Sequence, residues 1–169
     1  MSKDVLFSET QRFKQLWIWV ILLGINSISI YGIYQQVILE IPYGNNPMSN
    51  TGLIVTSSIS LLLTLFFILL RLDTQITTEG ISIRFFPVHN KFKVFTWDQI
   101  SKAYIRKYAP IYEFGGWGLR FWGNGIAYNV SGNIGLQLEL NSKKKILIGT
   151  NKPVELKEAL IKLGQYKEQ

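Results

Sequence analysis

Two long stretches without charge constrain this chain more than any other feature. Residues 16–39 and 41–70 carry no Asp, Glu, Lys, Arg or His, and only Glu40 separates them. A helix rises about 1.5 Å per residue and bilayer hydrocarbon is about 30 Å thick, so each stretch is long enough to cross. The expected organisation is an N-terminal cytoplasmic tail over residues 1–15 and a two-helix transmembrane hairpin over 16–72. The spans fall at about 16–39 and 53–72, and a cytoplasmic domain over 73–169 follows. Ser8-Glu9-Thr10-Gln11 matches a capping box, which reads as an inward extension of the first helix.

The flanks set the orientation. Trp17 and Trp19 lie beside Arg12 and Lys14, and Tyr31, Tyr34 and Tyr43 lie near the other end. Amphipathic aromatics favour headgroup depth. The loop near residues 40–52 has turn signals (Pro42, Tyr43-Gly44, Asn45-Asn46, Pro47) but no Lys or Arg, whereas both outer flanks are basic. The positive-inside rule then puts both termini in the cytoplasm, with the chain in the cell (inner or plasma) membrane. No alanine precedes Ala103, so the first span lacks an A-x-A cleavage site. Polar residues inside the spans share faces: Asn26 with Ser29, and Ser57 with Ser60 and Thr64. They are expected to pack the two helices together, since no ionisable group is present for a proton or ion path.

From Arg71 the hydrophobic period becomes two. Hairpin turns are expected at Glu79-Gly80, Gly123-Asn124-Gly125, Ser131-Gly132-Asn133 and Asn141-Ser142-Lys143. Leu156, Ala159, Leu160 and Leu163 then form a helical stripe, with Asn151 as its expected N-cap, Pro153 in the first turn and Gly164 at the end. The fold class expected is a membrane helical hairpin plus a small all-β domain. That domain is an open barrel or curved sheet of seven or eight strands, capped by the C-terminal helix.

Particular motifs then resemble a known family. Ile76-Thr77-Thr78-Glu79-Gly80-Ile81-Ser82-Ile83 resembles the opening hairpin of the bacterial PH-like membrane proteins. Phe95-Thr96-Trp97-Asp98-Gln99-Ile100 resembles their W-D-x-I entry into the next strand. The run from Phe114 to Phe121, then Tyr128-Asn129-Val130 with Gly132, and the Leu147-Ile148-Gly149-Thr150 step into a helix complete the pattern over residues 71–164. The resemblance implies a PH-like architecture and a binding role beside the membrane, not a reaction. Phosphoinositide-binding PH domains carry basic residues on the first hairpin loop. Here that loop is Thr78-Glu79-Gly80, which argues against inositide recognition.

The residue inventory excludes much chemistry. There is no cysteine and one histidine, so disulfides, thiolate sites and His-based metal cages are out. Gly116-Trp117-Gly118 lacks the spacing of a phosphate loop and reads as turn glycine. No nucleophile–base pair can be assembled, so the chain is expected not to be an enzyme, with no cofactor and no evident small-molecule substrate. A nucleic-acid platform is weighed and set aside, the aromatics being expected in the core.

Residues 71–169 hold 15 Lys/Arg against eight Asp/Glu, so the formal net charge of +7 equals the surplus of that part. Arg71, Lys143, Lys144 and Lys145 are the candidate lipid-facing residues. The leading expectation is a membrane-anchored binding or scaffold module whose partner is another membrane protein or itself. The alternative is a sensor of anionic headgroups. An open barrel leaves a strand edge, and Ile111, Tyr112 and Phe114 are the candidate interface residues beside it.

Overall fold

The computed structural model describes residues 4–167, so the ends of the expected tail (1–3) and C-terminal domain (168–169) lie outside the described residues. The chain divides into two units. One holds residues 14–69, and the other joins the residues up to Phe13 with those from Leu70 onward.

In the helical unit, α1 (Leu16–Ile33) runs on through a π-turn at Tyr34–Ile38, and α2 covers Asn50–Leu69. Both are long and apolar enough to cross a membrane. Neither contains proline, and both are apolar all round, so neither has a solvent face and a core face. Most large side chains point outward; Leu22, Gly32 and Leu53 are the buried positions. At Gly32 a Cβ would stand 3.0 Å from the Tyr43 ring, so glycine lets that ring lie closer to α1 than a larger residue would. Gln36 fastens the loop by donating to the Met48 carbonyl (2.7 Å) and the Asn50 side chain (2.8 Å). The second helix stops at Leu69, not at residue 72, because the period-two pattern takes over at Arg71.

The sheet unit holds nine strands among the described residues: β1 (Val5–Arg12), β2 (Arg71–Thr77), β3 (Gly80–Phe86), β4 (Lys93–Thr96), β5 (Ile100–Lys107), β6 (Gly118–Trp122), β7 (Gly125–Asn129), β8 (Ile134–Leu140) and β9 (Lys145–Gly149). A short helix, α3 (Pro110–Phe114), precedes β6, and α4 (Pro153–Lys162) follows β9. The strands form two sheets, ordered β1-β2-β3-β4 and β5-β8-β9-β7-β6. All pairings are antiparallel except β7 with β9. The expected all-β domain with its C-terminal helix is present, and its strands form two sheets with no closed barrel among the described residues. The β6–β7 hairpin occupies the second edge of β9, so that edge is closed to any strand of the other sheet. At Gly80 a Cβ would run into the Phe95 carbonyl, which is why a glycine opens β3 where β4 crosses it.

The segment expected to extend the first helix is a strand. In β1, Phe7, Glu9 and Gln11 point inward, while Ser8, Thr10 and Arg12 point out. Its buried polar groups are satisfied across the fold. Thr150 Oγ1 donates to one oxygen of Glu9 (2.7 Å) and the Asn151 backbone N–H to the other (2.9 Å). Gln11 donates to the Gly149 carbonyl at 2.7 Å. The N-cap of α4 is accordingly Lys152, not Asn151: its own side chain makes no cap bond, and the Lys152 N–H donates to Thr150 Oγ1 at 3.0 Å. Leu156, Ala159 and Leu160 of α4 are buried, and the helix packs on β1, β5 and β8.

Register fixes where the chain leaves this unit. Arg12 pairs with Arg71, and Arg71 with Phe86. Helix α1 begins four residues after Arg12 and α2 ends two residues before Arg71. Exit and return therefore share one end of the β1–β2 ladder, called the root end below.

Candidate functional site

The three candidate interface residues separate. Helix α3 presents Tyr112, 95% exposed, and Ile111 to solvent, but turns Phe114 inward to 7% exposure. Phe114 packs with Tyr108, Ala127 and Leu147, its ring meeting Tyr108 at 5.8 Å and Trp122 at 5.0 Å, both edge to face. Phe114 is thus a core residue, not an interface one. The segment had no readable period because it is a single helical turn, in which adjacent residues point in different directions.

Helix α3 is held rigidly. Arg106 donates twice to Glu113, at 3.2 and 2.8 Å, and also to Gln137 at 3.0 Å. Glu113 accepts a further bond from the Ala109 backbone N–H at 2.8 Å. The Arg106 hydrogen bonds hold the Glu113 carboxyl below its ordinary value near 4.5, against a smaller opposing effect of burial. Gly115 ends the turn at φ 69, in the left-handed region.

Beside α3 lies β6, an edge strand that among the described residues pairs only with β7. Trp122 packs under α3, so the alternate residue Phe121 faces the other way, 77% exposed. An unpaired strand edge therefore runs between an exposed Phe121 on one face and the α3 turn on the other. Sequence reading missed Phe121, because alternation identifies two faces of a strand without saying which is covered. The edge of β5, by contrast, is partly covered: the Lys167 N–H donates to the Ala103 carbonyl at 3.0 Å.

The four candidate lipid-facing residues lie at opposite ends of the unit. Arg71 is at the root end, 3.3 Å from Asp73 and stacked on the Phe86 ring. Lys143, Lys144 and Lys145 form the β8–β9 turn and its exit. Lys145 starts β9, and Gly149, which Gln11 contacts, ends it. At about 3.3 Å per residue the two ends of β9 are on the order of 13 Å apart.

Lys93, Lys144 and Lys145 instead border a cleft of about 660 Å³ between β4 and β7. Its apolar wall includes Phe95 and Ile126. Lys93 donates to the Tyr128 hydroxyl at 3.2 Å, and Tyr128 is itself buried. His89 lies against the same ring, and burial, with Lys93 nearby, lowers its pKa below 6.5.

In the helical unit Asn26 donates to Thr64 Oγ1 at 2.7 Å and accepts from Ser60 Oγ at 3.4 Å. Ser57 bonds its own helix at the Leu53 carbonyl, and Ser29 is half-buried with no bond to α2. Among the described residues no group of three His, Cys, Asp or Glu side chains is close enough to hold a metal ion. Compared with known families, curated proteins and solved structures, the chain matches none.

Proposed function

We propose that this chain is a membrane-anchored protein-binding module. Helices α1 and α2 span the bilayer, and the sheet unit stands on the cytoplasmic side as a PH-like domain. Strand β6 takes up a partner strand from another membrane protein or a second copy. The observation that carries this reading is the unpaired β6 edge between Phe121 and the braced α3 turn. Strand addition uses backbone groups for affinity and exposed aromatics for specificity. The pairing of Arg12 with Arg71 supports the anchoring part: both helices join the same end of one ladder, so an even number of crossings is required. The basic flanks favour the cytoplasm for that end. The module binds rather than catalyses.

The lipid-headgroup alternative would draw on Arg71, which opens β2, and on Lys143, Lys144 and Lys145 at the β8–β9 turn.

Because the chain has no cysteine, single-cysteine cross-linking is free of background. In native membranes Phe121→Cys should cross-link to a discrete partner band. Thr78→Cys, exposed on the β2–β3 turn, should not. Equal or absent cross-linking at the two sites would defeat the β6 assignment.

A further inference from the structure

The β4 cleft is a second and separate surface, and nothing in it depends on β6. Three consecutive residues of β4, Lys93, Val94 and Phe95, line it. Neighbours on a strand point to opposite faces, so a cleft that touches all three meets the strand along its edge. Among the described residues that edge is unpaired: β4 joins β3 on one side and no strand on the other. From β7 only the alternate residues Ile126 and Tyr128 take part, so the opposite wall is a strand face. The cleft therefore offers backbone donors and acceptors on one side and an apolar wall on the other. Its volume of about 660 Å³ is within the range of sites that bury a ligand.

The rim is positively charged. Lys93, Lys144 and Lys145 border the cleft, and Asp98 is the one carboxylate that lines it with them. Lys145 is 3.7 Å from Glu139, but Lys144 has no carboxylate within ion-pair distance among the described residues. Lys145 stands at the opposite end of β9 from Gly149, which Gln11 contacts, and Lys93 pairs with Ile83 in mid-strand. The turn that carries them is itself constrained. Lys143 is left-handed, at φ 64, and the Leu140 N–H donates across it to the Lys144 carbonyl at 2.9 Å. Asn141 ties the turn to the connection after β4, its N–H donating to the Gln99 carbonyl (2.9 Å) and its side chain to that of Asp98 (2.6 Å). The lysines and the β4 edge are thus held in fixed register before any ligand arrives, which lowers the ordering cost of binding.

We propose that this cleft binds an extended, acidic peptide segment of a partner protein. The segment adds to the free edge of β4, sets alternate apolar side chains against Phe95 and Ile126, and directs carboxylates to Lys93, Lys144 and Lys145. Charge complementarity selects the acidic peptide, and the unpaired edge selects an extended backbone over a compact anion.

The test uses the full-length chain in nanodiscs of zwitterionic lipid. The probe is a short fluorescent peptide alternating glutamate and valine, followed by anisotropy at low salt. Saturable binding is expected, weakening as salt rises. Lys144→Gln alone should weaken it several-fold, and the triple change with Lys93→Gln and Lys145→Gln by about tenfold or more. Lys157→Gln, on the outer side of α4, should leave it unchanged. The same peptide with methylated backbone nitrogens keeps its charges but loses its donors, and should bind about tenfold more weakly. No binding of the unmodified peptide overturns the proposal, as does equal binding of a lysine–valine peptide. Equal binding of the methylated peptide, or its full displacement by an equal concentration of inorganic phosphate, shows a site for compact anions and overturns it too.

Discussion

The helical hairpin and the sheet unit use the same residue types in opposite ways. In α1 and α2, leucine and isoleucine lie outside, and the polar cluster of Asn26, Ser60 and Thr64 lies between the helices. In the sheet unit Leu72, Ile76, Ile81, Leu136, Leu147 and Leu160 are fully buried, and charge lies outside. The difference is what the proposed anchoring requires, with the helical unit in lipid and the sheet unit in water. Burial of apolar surface stabilises the second, whereas helices in lipid gain nothing from it and associate by packing and hydrogen bonds. Exceptions in the sheet unit include β1, whose inward Glu9 and Gln11 are polar, and Asp73, Asn129 and Gln137 on other strands.

The contrast can be broken most sharply in the core. Phe114→Ala should cost ~3–5 kcal/mol in the sheet unit, read by chemical denaturation, because it empties the Tyr108–Trp122 cluster. Tyr112→Ala, two residues away, should stay within about 0.5 kcal/mol. A large loss at Tyr112 would mean that α3 is not oriented as described. Next in size is the buried polar clamp. Glu9→Ala leaves Thr150 Oγ1 and the Asn151 N–H without their acceptor and should cost about 1–3 kcal/mol. Pulse proteolysis of the purified chain would read it. With the hairpin in lipid as proposed, removing its polar group should cost less, because a helix there can find other partners. Asn26→Leu is expected to weaken α1–α2 association by about 0.6–1 kcal/mol, measured by energy transfer between labelled helices in bilayers. A loss at Asn26 larger than that at Glu9 would reverse the comparison.

A smaller effect concerns pH. The Glu113 carboxyl is held below its ordinary value near 4.5 by Arg106, so its contribution is present above that pH. It is lost as pH falls through the lowered value. Glu113→Gln should therefore flatten the acid limb of the stability profile below about pH 4.5 and nowhere else. A profile unchanged by the substitution would remove the Arg106 brace from the account. The smallest effect is at Lys143, whose left-handed backbone glycine adopts without strain. Lys143→Gly should raise stability by about 0.5–1 kcal/mol in the same denaturation assay.

Some of this was open to reading along the chain. The absence of charge over residues 16–39 and 41–70 is a local property, and helix length follows from it without any knowledge of packing. The α4 stripe of Leu156, Ala159 and Leu160 is equally local, because helical period alone puts those residues on one face. The turns at Glu79-Gly80 and Gly123-Asn124-Gly125 depend on backbone freedom that glycine carries wherever it occurs. Strand β1 could not be read in this way. Glu9 and Gln11 belong inside only because Gly149, Thr150 and Asn151, some 140 residues later, supply their partners. The same holds for the candidate sites. Nothing near Phe114 says that it turns inward while Tyr112 turns out, since that depends on the space between Tyr108 and Trp122. The parallel pairing of β7 with β9 inserts β7 between β9 and β6 and so leaves β6 at the edge of the second sheet. Period and composition specify which face a residue shares with its neighbours; which distant strand covers that face is decided only when the whole chain packs.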